Sequence, residues 1–390
     1  MSSARRIYAD HNATTPVASE VIDTMVQAMT SVWGNPSSLH RDGQAARRVF
    51  EAARAKVASF LGANPSEVVF TSGGTESCNL GVLGAAGARK DGRRRILLSA
   101  LEHHAVSEPC RHLAAQGYTV ETLPVDASGR LRLDAALAAL GPDVALLSVM
   151  LASNDLGTIQ PVRELAQAAS PQGILVHCDA VQAAGKLPLN VRDLGVDLLS
   201  ISSHKIYGPK GLGALYVKRG VPLAPSILGG LQEQQRRAGT ENLPGVLGFG
   251  VACDLIAGRL YAQVERLGRL RARFEELLLR RHPQALINGA GAPRIPNTSN
   301  VSFPGLEGAM LAINLDHLGV AVSTGAACLA DAHLPSQALL ALGRTREEAL
   351  ASVRFSFGEG NTTEDLEELV NRLDLAVQRS QIAPDAMEVP

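Results

Sequence analysis

The segment Ser200-Ile-Ser-Ser-His204-Lys205-Ile-Tyr-Gly208-Pro-Lys-Gly211 sets one lysine just beyond a short apolar run, fenced by hydroxyls, a histidine and glycines. A lysine held out of water has a lowered pKa and offers the free amine that attacks carbonyl carbons, which makes Lys205 a candidate Schiff-base residue. Taken alone, the Gly-Pro-Lys-Gly turn chemistry favours an ordinary loop lysine instead, so its company decides. Ser72-Gly73-Gly74-Thr75-Glu76-Ser77 lies between a strand and a helical pattern, where unpaired backbone N–H groups and the helix dipole converge on an anion, with phosphate the natural guest. The turn lacks the Gly-Lys-Ser/Thr ending of a Walker loop and the Gly-x-Gly-x-x-Gly pattern, and plain chain reversal explains it equally well. His103 is a core residue, a general acid/base or a flat surface against a ring. Asn154, Asp179 and Gln182 likewise follow apolar runs. Cys328, in Ser323-Thr-Gly-Ala-Ala-Cys328, occupies a small-residue loop of the kind that leaves a thiol exposed, although cysteines in such places are more often inert. Arg354 sits in a short apolar run, where it is costly to bury unless it meets a carboxylate, as an amino-acid substrate would supply. Asn12, Thr14 and Thr15 are either ligand groups or helix-start chemistry.

The elements that must position these groups are legible as alternating patterns. Short apolar runs at 67–71, 95–99, 118–123, 144–150, 173–178, 196–201 and 212–217 read as strands, with helical spacing over 19–29, 45–61, 109–116, 162–169 and 246–280. This alternation implies an α/β fold with a mostly parallel sheet covered on both faces. In such sheets ligands bind beyond the carboxyl ends of the strands, so Gly74, Thr75, His103, Asn154, Asp179, Gln182, His204 and Lys205 can converge on one crevice. The expected organisation is an N-terminal segment, 1–15, joining a small domain; a large domain, 16–255; and a smaller α/β C-terminal domain, 256–390, with strands near 300–303, 320–323 and 352–356.

Composition narrows the functional class. The chain has 390 residues, 37 basic and 38 acidic, so no broad charge field marks a nucleic-acid or membrane partner. Its five cysteines (Cys78, Cys110, Cys178, Cys253 and Cys328) are scattered without a Cys-x-x-Cys pair, indicating neither a disulfide framework nor a metal site. The opening residues lack the apolar core of a secretory signal, and no apolar run is read as a membrane span, which points to a soluble protein of a reducing, cytoplasmic compartment.

A lysine, an aspartate, a ring-sized histidine and a phosphate turn at strand ends are the parts that pyridoxal phosphate requires: Lys205 for the Schiff base, Asp179 to keep the pyridine nitrogen protonated, His103 on the ring face, and Gly74, Thr75, Ser202 and His204 around the phosphate. Along nearly its whole length the chain also resembles the cysteine desulfurases of the NifS/IscS type, in class V of the aminotransferase fold (the type I fold of pyridoxal-phosphate transferases). The resemblance rests on Tyr8-Ala-Asp-His-Asn-Ala-Thr-Thr-Pro16, Gly34-Asn-Pro-Ser-Ser-Leu-His40, Phe70-Thr-Ser-Gly-Gly-Thr-Glu-Ser77, Asp179-Ala-Val-Gln182, Ser203-His-Lys-Ile-Tyr-Gly-Pro-Lys-Gly211, Arg237-Ala-Gly-Thr-Glu-Asn242, Ser323-Thr-Gly-Ala-Ala-Cys328 and Ser352-Val-Arg-Phe-Ser-Phe-Gly358. It implies a homodimer with pyridoxal phosphate on Lys205, Gln182 near the ring oxygen, and Thr240 reaching the phosphate from the other subunit. It further implies Asn154 and Arg354 on the substrate carboxylate, with Asn12 in the same pocket, and Cys328 as the cysteine that takes sulfur from L-cysteine for a scaffold or carrier protein, in iron–sulfur cluster assembly or another pathway. His11, Asp155 and Leu329-Ala-Asp331 depart from the commoner residues of that family. A selenocysteine lyase or another class V enzyme is the alternative, sharing Lys205 and Asp179 without needing Cys328.

Overall fold

The structure, a computed structural model, describes residues 5–324 and 334–382; Cys328 and Leu329-Ala-Asp331 lie outside the described residues. Seven strands make the main sheet: β1 (Val68–Thr71), β2 (Arg95–Ser99), β3 (Thr119–Leu123), β4 (Val144–Ser148), β5 (Leu175–Asp179), β6 (Leu198–Ser202) and β7 (Gly213–Val217). They lie in the order β1-β7-β6-β5-β4-β2-β3. Neighbours from β6 to β3 are parallel, while β7 runs antiparallel to both β6 and β1. The sheet is mostly parallel, as the alternation implies, and mixed through β7 alone, which follows β6 through a turn too short for a crossover helix.

The apolar runs are continuous because both faces are covered. Val68 and Phe70 enter one core and Val69 the other, and Leu97 and Ile96 split in the same way. Helices α1 (Ser19–Ser31) and α2 (Arg41–Leu61) pack against the long helix Leu243–Arg281 on one side, and α3 (Gly74–Ala88) and α4 (His104–Ala115) pack together on the other. The helix Leu243–Arg281 is long and apolar enough to cross a membrane by length and composition. Here it is a core helix: Val246, Phe249 and Ile256 enter the core under the main sheet, and Leu267, Phe274 and Leu278 enter a separate one.

That separate core lies against a three-stranded antiparallel sheet of Leu286–Asn288, Thr298–Ser302 and Ser352–Ser356. The expected strand at 320–323 is confined to Val320–Ala321, which pairs in parallel with Ile7–Tyr8. Leu286–Asn288 escaped notice because two apolar residues are too few to set a period. The helix expected from 109 begins at His104, with Pro109 inside it. Proline removes one helical hydrogen bond, and the carbonyl of Ala105 that would have accepted it receives Asn79 Nδ2 instead, at 3.2 Å.

At the free edge of the sheet, two side chains stand in for a missing strand. Arg54 donates to the carbonyl of Val68 at 2.9 Å, and Glu233 accepts the N–H of Phe70 at 3.0 Å. The two join each other through bidentate contacts of 2.7 and 2.8 Å. Glu233, Gln234 and Gln235 all have positive φ, so this clasp also holds a strained turn.

Candidate active site

Strands β1, β2, β4, β5 and β6 end on the same edge, and the chain beyond each carries one of the groups singled out in the sequence. After β6 comes a tight turn, Ser203–Lys205. Gly208 closes it, since its N–H meets the Ser203 carbonyl at 3.1 Å and a Cβ there would fall 2.0 Å from Ser203 Oγ. The N-terminal segment braces the turn from outside: the Thr15 N–H and hydroxyl both donate to the His204 carbonyl at 3.0 Å, and Thr15 Oγ1 accepts the Tyr207 N–H at 2.8 Å. Tyr207 is held at φ 64, unusual for a bulky residue. Lys205 Nζ donates to the carbonyls of Asn12 (2.5 Å) and Ala13 (2.8 Å). Burial, with help from the Arg354 charge, pushes its pKa down to about 8, against opposing contributions from Asp10 and Asp179.

Asp179, at the end of β5, is buried and accepts the Val181 N–H at 2.9 Å. Burial raises its carboxyl above the ordinary range, while that N–H and the neighbouring His103 and Lys205 oppose the rise. His103 caps α4, its Nδ1 accepting the Ala105 N–H at 3.0 Å, which leaves Nε2 as the protonated position of a neutral ring. Its pKa is lowered, chiefly by burial. Gln182 Nε2 donates to the Asn12 carbonyl at 2.8 Å, so Lys205 and Gln182 share one acceptor.

The start of α3 abuts the end of β6: a Cβ on Gly74 would lie 3.3 Å from Ser202 Cβ and 2.9 Å from Val181. Ser202 Oγ is buried beside this helix terminus without a partner among the described residues, an uncommon state for a hydroxyl. His204 Nδ1 pairs with Thr14 Oγ1 at 3.1 Å, and burial, then the Lys205 charge, hold its pKa at about 4. An orphaned hydroxyl, a neutral imidazole and free helix N–H groups fit a phosphate, and Lys205 and Asp179 fit the aldehyde and ring nitrogen of pyridoxal.

Arg354 is buried and does meet carboxylates, but they belong to the protein. Its NH2 donates to Asp10 at 3.0 Å, and its NH1 lies 3.5 Å from Asp155 and 3.2 Å from the Asn154 carbonyl. Nε has no partner. Asn154 Nδ2 donates to Asp155 at 2.8 Å. Asn12, expected among the substrate ligands, spends its side chain internally on Thr298, Asn297 and the Asn154 carbonyl. Thr240 is exposed, and no side-chain hydrogen bond ties it to the site among the described residues. Asp10 and Lys186, the latter described further below, were not singled out from the sequence. Asp10 lies in the polar entry segment that drew attention to Asn12, and its pairing with a residue 344 positions away had no local signal.

A family model for class-V aminotransferases matches residues 7–369, and the chain belongs to that family. Within it the chain groups with the cysteine desulfurases. It is 43% identical to the cysteine desulfurase IscS of Dictyoglomus turgidum over 96% of this chain and 95% of that one. It is 44% identical to a cysteine desulfurase of Cereibacter sphaeroides over 94% and 95%. Among solved structures, a NifS-like protein superposes with a TM-score of 0.90 at 35% identity, covering 96% of this chain and all of the other.

Proposed function

We propose that this chain is a pyridoxal-phosphate-dependent cysteine desulfurase that moves the sulfur of L-cysteine onto Cys328 and releases alanine. One observation carries the reading: a lysine amine with its pKa held near 8, a buried aspartate and an orphaned serine hydroxyl at a helix start stand together at one edge of the sheet. When bound, pyridoxal phosphate supplies an electron-accepting ring that stabilises negative charge at the substrate Cα.

The chain's own groups then have distinct tasks. Gly74 and Thr75 at the start of α3, with Ser202 and His204, hold the phosphate. Asp179 would serve the ring nitrogen as a carboxylate, His103 would take the ring face, and Gln182 would donate to the ring oxygen. Lys205 would hold the group through Nζ, and the same atom, as a free amine, would move the Cα proton. Arg354 and Asn154 orient the substrate carboxylate; for this, the guanidinium shares itself between the ligand and Asp10. Neutral His103 accepts the Cys328 thiol proton and the thiolate attacks the substrate sulfur: the Sγ–S bond forms, the Cβ–S bond breaks with its electron pair left on Cβ, and His103 returns the proton there, so that alanine leaves and the persulfide keeps the substrate's own S–H.

Support for Cys328 comes from its tether. Ser323 pairs with Arg354 through both backbone hydrogen bonds, at 2.6 and 3.2 Å. Cys328 follows Ser323 by five residues in the sequence, and five residues of chain span at most about 18 Å. Beyond it, Ser336 Oγ donates to Asp155 at 2.9 Å, close to the same arginine. The exposed Leu228 and Leu231, on the segment leading to Thr240, support a second copy that covers them and receives Thr240 at its phosphate. A persulfide needs an acceptor thiol, so a scaffold or carrier protein and a reducing, cytoplasmic setting complete the proposal.

The test is direct. The purified protein is incubated with L-cysteine, alanine is counted, and Cys328 is examined by mass spectrometry for one added sulfur. Cys328→Ala should keep the visible chromophore yet lose sulfur transfer, and Lys205→Ala should lose both. Alanine release with Cys328 unmodified would defeat the assignment.

A further inference from the structure

Lys186 is a buried lysine to which the proposed chemistry gives no task. Only 6% of it is exposed. Among the described residues it forms no ion pair, and its Nζ makes two hydrogen bonds, to the carbonyl of Gln182 and to Gln182 Oε1, both at 3.1 Å. Gly185, at φ +71, places Lys186 in a turn against the residue that follows Lys205: a Cβ on Gly185 would lie 2.9 Å from Ile206. An apolar side chain would fill this position without the penalty of desolvating an amine. What lysine adds is an end whose N–H bonds are matched to two oxygens.

The consequence falls on Gln182. A glutamine amide has an accepting and a donating end, and its neighbours decide which way it points. Here Lys186 takes Oε1, and Nε2 donates to the Asn12 carbonyl at 2.8 Å, the acceptor that Lys205 also uses. Turning the amide over would set two carbonyl oxygens against each other at Asn12 and N–H groups against the bonds of Lys186. Held at both ends, Nε2 keeps one N–H unspent among the described residues. We propose that Lys186 is a positioning residue that locks the Gln182 amide so that this remaining N–H is presented to the ring oxygen of the cofactor. Burial and the Lys205 and Arg354 charges push the amine down to about 7, and both the charged and neutral forms retain the two N–H bonds required.

The inference rests on the placing of Gln182 at the ring oxygen, and the test separates the two ideas. Pyridoxal phosphate is titrated into cofactor-free Lys186→Met, Gln182→Ala and the double variant, reading the dissociation constant and the wavelength of the visible band. Loss of one well-placed hydrogen bond should weaken binding in Lys186→Met by about 5- to 10-fold. Gln182→Ala should weaken it at least as much and shift the band in the same direction. The double variant should bind within about twofold of Gln182→Ala, because Lys186 acts only through that amide. Lys186→Arg, which keeps a donor-only end, should stay closer to the parent than Lys186→Met in both readouts and remains informative if the methionine variant does not fold. Parent-like binding in Lys186→Met, multiplying effects in the double variant, or an arginine variant as weak as the methionine one would overturn the role of Lys186. Parent-like binding in Gln182→Ala would remove the placing of Gln182 itself, and the inference with it.

Discussion

The depressed pKa of Lys205 sets the pH at which the cofactor-free protein captures pyridoxal phosphate. The amine attacks only when neutral, and with its pKa near 8 about one-tenth is neutral at pH 7. An ordinary lysine at pKa ~10.4 would be neutral in only about 1 part in 2,500, so the buried position gains roughly 200-fold in reactive amine. Mixing cofactor-free protein with pyridoxal phosphate in a stopped-flow instrument and following the visible band from pH 6 to 10 should give a capture rate that climbs about tenfold per pH unit and levels off near 8. Removing the Arg354 charge, as in Arg354→Met, should move the plateau upward, because that charge helps lower the pKa. The same displacement has a sign in stability. The folded state binds fewer protons than the unfolded chain between about 8 and 10.5, so the penalty of burying Lys205 is full below that window and fades as pH rises through it. A capture rate still climbing at pH 9.5, with the arginine variant identical to the parent, would refute the reasoning.

Three further outcomes are expected. Ser202→Ala removes the orphaned hydroxyl and should weaken phosphate-dependent cofactor binding by about 10- to 100-fold, with pyridoxal lacking the phosphate unaffected; equilibrium dialysis against both compounds checks this. Gly208→Ala drives a methyl into Ser203 Oγ and should displace the Lys205 turn, costing about 2 kcal/mol in a denaturant titration and reducing chromophore yield. Glu233→Ala leaves the Phe70 N–H unpaired and Arg54 with Glu51 as its remaining ion partner, and urea unfolding should show a loss of about 3 kcal/mol, whereas Glu233→Gln, which keeps an acceptor for that N–H, should lose less.

Much of this architecture was legible because the strands are buried on both faces and so read as unbroken apolar runs. Val144–Ser148 and Leu198–Ser202 are buried at every position, and their sequences announce it. The turn at Gly74 and the lysine after β6 were visible for a related reason, since glycines and hydroxyls at strand ends break the apolar pattern. Direction was hidden: β7 looks like the parallel strands, and only the length of its connection sets it apart. Long-range pairing was hidden too. Arg354 was expected to need a carboxylate, but the sequence did not say that Asp10 and Asp155 would supply it. Lys186 passed unnoticed because one lysine after a glycine has the look of a surface turn, and its burial comes from the packing of Gly185 on Ile206.

The clasp of Arg54 and Glu233 bears on how copies of the chain can meet. A bare edge strand is a template on which another chain can extend the sheet. Here the outward carbonyl of Val68 and the outward N–H of Phe70 are already occupied, so that edge offers no ladder to a newcomer. Growth of the sheet from the β1 side is therefore disfavoured, and contact between copies on that side falls to side-chain surfaces rather than to strand pairing.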